Sequence, residues 1–138
     1  MAVGFFIDPI FYEVGSGDFL NSFFSTIYIK LENNEWGSKY PYLMNNFYKG
    51  CVKKDNIEEF RKEIVSLRKD LEKLPPSAIV WDYENLDLSP PWGNIISSDI
   101  KNMSDYFVTS DGENLLDVLE KSIGASTEIE EDLCIKAI

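Results

Sequence analysis

Apolar and aromatic residues crowd the start of the chain. Val3, Phe5, Phe6, Ile7, Ile10, Phe11, Tyr12 and Val14 all precede Gly15-Ser16-Gly17. Such a run predicts a strand over residues 3–14, with Asp8-Pro9 marking an edge position or a bulge. Ser16 then fits a helix N-cap, and Asp18 falls in the positive first turn. Leu20, Phe23, Phe24, Ile27 and Leu31 recur at helical spacing and form one apolar stripe. Asn33-Asn34 ends that element. Trp36 to Pro41 reads as an aromatic turn, followed by a short helix from Pro41 to Tyr48 that Gly50 closes.

The strongest periodic signal lies in the middle. Asp55 and Glu58 match a capping-box spacing. Ile57, Phe60, Ile64, Leu67, Leu71 and Leu74 then advance by threes and fours, which predicts an amphipathic helix ending before Pro75-Pro76 and packing on a sheet. Ser77 to Tyr83 contains the continuous apolar run Ala78-Ile79-Val80-Trp81 and reads as a buried strand. Residues 84–103 are irregular, and a long loop in a compact domain is often functional. Tyr106 to Thr109 resembles another strand. Ser110 and Glu113 form a second capping-box pattern ahead of Leu115, Leu116, Leu119 and Ile123, with Gly124 as the expected helix stop. Ile129 to Ile138 predicts a closing strand. The expected fold is a single α+β domain over residues 1–138, with one sheet of about four strands covered by helices.

Composition narrows the function. The 138 residues are 44% hydrophobic and 14% aromatic, enough for a core, and they include no His. The missing imidazole removes the commonest general base and metal ligand. Formal net charge is −11. It opposes binding to nucleic acid or to an anionic membrane surface. The charge is uneven: residues 74–138 hold 13 acids and 3 bases, whereas residues 49–73 hold 6 acids and 8 bases. The acidic half serves solubility, or it matches a basic partner and speeds encounter. The N-terminus lacks the basic region of a signal peptide, and no apolar run reaches 18 residues. A cytoplasmic, reducing location is therefore expected, with Cys51 and Cys134 as free thiols and Cys134 in the core.

Motifs of catalysis are sparse. No P-loop, G-x-G-x-x-G or G-x-S-x-G occurs. Gly15-Ser16-Gly17-Asp18 reads as a plain helix start, since Asp18 would repel an anion. Asp82, Glu84 and Asp87 cluster after a predicted strand, and Asp99 and Asp105 flank the next. Such carboxylates hold Mg²⁺ or act as acid and base in some proteins, but surface solvation is the commoner explanation. Tyr12, Tyr40 and Lys39 carry acid–base chemistry without a spacing that selects them. Trp81 reads as core and Trp36 as a plug. Trp92, in Pro90-Pro91-Trp92-Gly93, reads equally as a plug or as an interface anchor.

Several segments together resemble the immunity protein 70 family of bacterial polymorphic-toxin systems. They are Val3-Gly4-Phe5, Gly15 to Leu20, Ser22 to Thr26, Trp36 to Pro41, Val80-Trp81-Asp82, Pro90 to Gly93 and Tyr106 to Gly112. The resemblance implies a cytoplasmic antitoxin that binds the toxic C-terminal domain of a secreted effector. It implies no enzyme, no cofactor and no metal. A basic nuclease domain is the partner that an acidic inhibitor would suit, by imitating a phosphate backbone. The expected partner-binding residues are Asp82, Glu84, Asp87, Trp92 and Asp99. A small carboxylate-based, metal-assisted enzyme is the alternative, and a homodimer built on the long helix is a third reading.

Overall fold

The computed structural model describes residues 2–91 and 99–137. Its first element is a hairpin, because the chain reverses at the cis peptide Asp8-Pro9. Strand β1 (Ala2–Ile7) pairs antiparallel with β2 (Ile10–Ser16). The single strand expected over 3–14 is thus two, and the register irregularity lies at Val3/Gly4 rather than at Asp8-Pro9. Gly4 is required there, since a Cβ would strike the Tyr12 carbonyl and the Phe11 ring. Strand β3 (Cys51–Val52) and strand β4 (Leu133–Ala137) complete an antiparallel sheet of order β2-β1-β4-β3.

Helix α1 (Gly17–Thr26) starts as expected: the Ser16 hydroxyl accepts from the Phe19 amide at 3.1 Å. It continues as a wider π-helical turn over Ile27–Leu31. Asn33 and Asn34 stop it in the left-handed region, at φ 51° and 65°, where Asn is among the better-tolerated residues. Tyr42–Phe47 forms a second π-helical segment. Helix α2 (Ile57–Glu72) buries Ile57, Phe60, Ile64, Leu67 and Leu71, as the periodicity predicts. Its capping box does not form. A 3₁₀ turn, Lys54–Asn56, leads in, and no side chain caps the helix. Nor does α2 lie directly on the sheet. It packs on helix α3 (Leu115–Ile129) and on the 42–47 segment. Phe47 bridges the gap, its ring 5.2 Å from Phe5 of β1 and 5.2 Å from Phe60 of α2.

Helix α3 packs against β1 with Leu115, Leu116, Val118, Leu119 and Ile123 buried. Asn114 caps it, accepting from the amides of Leu116 and Asp117, so Ser110 is not the cap. Gly124 does not stop it. The helix runs through to Ile129 and ends at Glu130, which has φ 63°. Glycine is tolerated within a helix held by tertiary burial.

Two expected strands are absent as ladders. Tyr106–Thr109 contributes an isolated bridge, Val108 with Asn114. Residues 77–83 form a 3₁₀ turn at Pro76–Ala78 and then an extended segment that joins no strand. The sheet still has four strands. Cys51 and Cys134, directly opposite each other on β3 and β4, are joined as a disulfide. The expectation of free thiols therefore fails: it rested on compartment, whereas the register brings the pair together. Cys134 is half-buried on the face that carries Phe6, and Cys51 is exposed. The core lies on the opposite face, where Phe5, Ile7, Val52 and Leu133 meet the helices.

Candidate interaction surface

The irregular segment after Ala78 is fastened to α1 by hydroxyls. Thr26 Oγ1 accepts from the Val80 amide at 3.0 Å, and Ser22 Oγ donates to the Val80 carbonyl at 2.8 Å. Ser25 Oγ accepts from the Tyr83 amide at 3.0 Å. All three hydroxyl residues are buried. Buried backbone groups require partners, and here side chains supply what a neighbouring strand would have given. Val80 is buried but Trp81 is only half-buried, so the core role expected of Trp81 is not met.

Tyr83 continues the attachment with its ring. It contacts Tyr28 at 5.4 Å and Trp36 at 5.4 Å between centroids, and Trp36 contacts Tyr28 at 5.0 Å and Tyr48 at 4.8 Å. The four rings are half-buried. Trp36 Nε1 donates to the Met44 carbonyl at 2.9 Å, which ties the cluster to the 42–47 segment. The Tyr48 hydroxyl 3.5 Å from that of Tyr83, with burial and the Glu84 carboxylate, keeps the Tyr83 phenol protonated well above its ordinary range. Tyr48 also borders a hollow of about 240 Å³ lined by Val3, Leu20, Phe24 and Ile135. The sequence marks Trp36 as a plug but gives no sign of its partners, which come from residues up to 47 positions away.

Beyond Tyr83 the chain enters two consecutive turns. Asp82 Oδ1 accepts from the Glu84 amide at 2.9 Å, and Asn85 Oδ1 accepts from the Asp87 amide at 3.2 Å. Asp82 is half-buried, while Glu84 and Asp87 are exposed. Among the described residues none of the three carboxylates makes an ion pair. Leu86 and Leu88 are 63% and 48% exposed, the two highest values among the described large apolar residues. Asp99 is exposed and has interactions of its own. Trp92 lies outside the described residues. The structure thus brings Asp82, Glu84 and Asp87 onto one short loop.

Several other acids are occupied structurally. Arg68 reaches Asp117 at 2.7 Å and Glu120 at 3.3 Å, stitching α2 to α3. Lys121 pairs with Glu113 at 3.3 Å. Glu32, 3% exposed, accepts from the amides of Gly37, Lys39 and Tyr40, each at 3.0 Å. Glu63 accepts from the Tyr42 and Leu43 amides at 3.0 Å, satisfying the open start of the 42–47 segment. Burial pushes the Glu63 carboxyl up despite those donors, and Glu32 adds to the rise. Asp70 receives the Tyr40 hydroxyl, and Lys39 Nζ at 3.0 Å. Burial raises the Asp70 carboxyl, but those two partners outweigh it and the net shift is downward. Burial and the Asp70 carboxylate push the Tyr40 phenol up. Tyr40 and Lys39 thus hold a turn together. Among the described residues no three His, Cys, Asp or Glu are placed to hold a metal ion. Among them, too, no helix is long and apolar enough to cross a membrane.

Fold and surface define a small acidic α+β domain with Glu84 and Asp87 exposed on one loop. The family model for immunity protein 70 matches residues 5–135, and the chain belongs to that family. No curated protein matches it, and no solved structure does.

Proposed function

We propose that this chain neutralises the toxic C-terminal domain of a cognate secreted bacterial effector by binding it and occluding its active site. Family membership supports the immunity role. The observation that supports this surface is the state of Asp82, Glu84 and Asp87. They sit on an anchored loop without internal ion pairs, whereas Asp117 and Glu120 of α3 are paired with Arg68, and Glu113 with Lys121. Trp92 and Asp99 complete the proposed contact set. Exposed carboxylates such as those of Glu84 and Asp87 raise the encounter rate with a cationic surface, so a toxic domain with a basic cleft, such as a nuclease, is the proposed partner. The chain acts as a stoichiometric binder, as one domain over residues 1–138.

Co-expression with the C-terminal domain of the secreted protein encoded next to this chain tests the role. Growth rescue with a co-purifying complex is the expected outcome. Rescue without a complex would replace binding by enzymatic reversal of damage. The surface is tested by the triple variant Asp82→Lys, Glu84→Lys, Asp87→Lys, which should slow association at low salt by about tenfold or more. An unchanged rate would dismiss the acidic loop as the contact. The cytoplasm of the producing cell is the proposed site of action. The Cys51–Cys134 bond bears on it, because a reducing cytoplasm keeps such thiols reduced.

A further inference from the structure

Leu86 and Leu88 lie on the same loop as the unpaired acids, two positions apart, with Asp87 between them. Among the described residues the other exposed large apolar side chains are dispersed: Val65 on α2, Val108 at the isolated bridge and Ile129 at the end of α3. Singly scattered apolar residues are ordinary on protein surfaces. Two on one loop, each about half exposed or more, leave apolar area in water that folding does not recover.

The loop that carries them is pre-ordered. Its base is held by Ser22, Ser25 and Thr26, the Tyr83 ring is packed on Trp36 and Tyr28, and its path is set by the Asp82 and Asn85 turns. The Leu88 amide donates to the Asn85 carbonyl at 3.2 Å and closes the second turn. Ordering a loop in advance reduces the entropy lost on binding. We propose that Leu86 and Leu88 are the apolar anchors of the complex, entering an apolar pocket of the toxic domain whose rim is cationic and meets Glu84 and Asp87. This rests on the chain binding a toxic domain at this loop. It adds a division of labour. The exposed acids set how fast the partners meet, and the leucines set how long they stay together, since rim charges act mainly on association.

The test uses the full chain and, as probe, the purified C-terminal domain of the neighbouring secreted protein. Association and dissociation rates are measured at several salt concentrations for the wild type, Leu86→Ala, Leu88→Ala and the double variant. The double variant should dissociate at least about tenfold faster, with association changed less than about twofold and the salt slope intact. Both side chains are solvent-exposed, so its melting temperature should stay within about 1 °C of the wild type. Unchanged dissociation in the face of tight wild-type binding would overturn the anchors while leaving the immunity role in place. A wild type that does not bind would remove that role, and the anchors with it. Self-association of the free chain that Leu86→Asp abolishes, with toxin affinity unaltered, would assign the leucines to a second copy and also overturn the proposal.

Discussion

Thr26→Val tests how the segment after Ala78 is held. The substitution nearly preserves shape and keeps a β-branched side chain, but it deletes the hydroxyl that accepts from the Val80 amide at 3.0 Å. Thr26 is fully buried and Val80 is 8% exposed, so water cannot readily replace the lost acceptor. A buried donor left without a partner costs about 1–3 kcal/mol. The Val80 carbonyl keeps Ser22 Oγ at 2.8 Å, which limits the loss to one group, and about 2 kcal/mol is expected. For 138 residues the unfolding entropy is roughly 0.3 kcal/mol/K, so the melting temperature should fall by about 7 °C. Ser22→Ala is the internal control. Thr26 Oγ1 stands 3.2 Å from the same carbonyl and takes over as donor, so that variant should lose less than about 1 kcal/mol. Urea and thermal unfolding measure both. Equal losses for the two, or a shift below about 1 °C for Thr26→Val, would refute the claim that these hydroxyls stand in for a strand.

Three further outcomes follow from the geometry. Thiol titration of the denatured, unreduced chain should find no free thiol. Reduction should lower stability by about 4.5 kcal/mol on the chain-entropy account of a crosslink spanning 83 positions; two titratable thiols in folded chain exposed to oxidised glutathione would reverse the assignment. Asp70 is held below the ordinary carboxylate range, so its stabilising contribution is full above that range and disappears as pH falls through its lowered native value. Asp70→Asn should therefore cost clearly more at pH 7 than at pH 3, and a cost independent of pH would contradict the Tyr40–Asp70–Lys39 arrangement. Glu63 is raised and has the opposite sign. Its contribution is full below the ordinary range and is lost as pH climbs through the raised native value, so Glu63→Gln should remove a decline in stability between the ordinary carboxylate range and that raised value, measured by urea unfolding from pH 4 to 7.

Helices were legible in the chain because their cause is local. The stripe from Ile57 to Leu71 names its own buried face, and Ser16 caps α1 through a contact only three residues long. Strands were less legible. The Ile7–Ile10 reversal is marked only by Asp8-Pro9, which reads equally as a bulge within one strand, and β3 is two residues whose pairing depends on β4, 81 positions later at the nearest. The 77–83 run carries the composition of a buried strand, yet its backbone partners are hydroxyls of a helix, and nothing local distinguishes the two. The acids of the candidate surface stood out as a cluster in sequence, and Asp82, Glu84 and Asp87 do share a loop. Leu86 and Leu88 did not stand out, since exposure is a property of the fold.

The lack of a strand at 77–83 bears on function. A strand at 77–83 would have placed its backbone in a ladder and committed the following loop to a sheet edge. Fastening by Ser22, Ser25 and Thr26 instead holds the segment at Val80 and Tyr83 and releases the chain immediately afterwards. The next residues satisfy some of their amides within short turns, so their side chains owe little to the core. Ordered at its base and uncommitted at its tip, such a loop can present Glu84, Leu86, Asp87 and Leu88 without weakening the domain. Substitutions at the tip should therefore alter binding at constant stability, whereas substitutions at the hydroxyls should alter both, and measuring the two classes side by side separates recognition from folding.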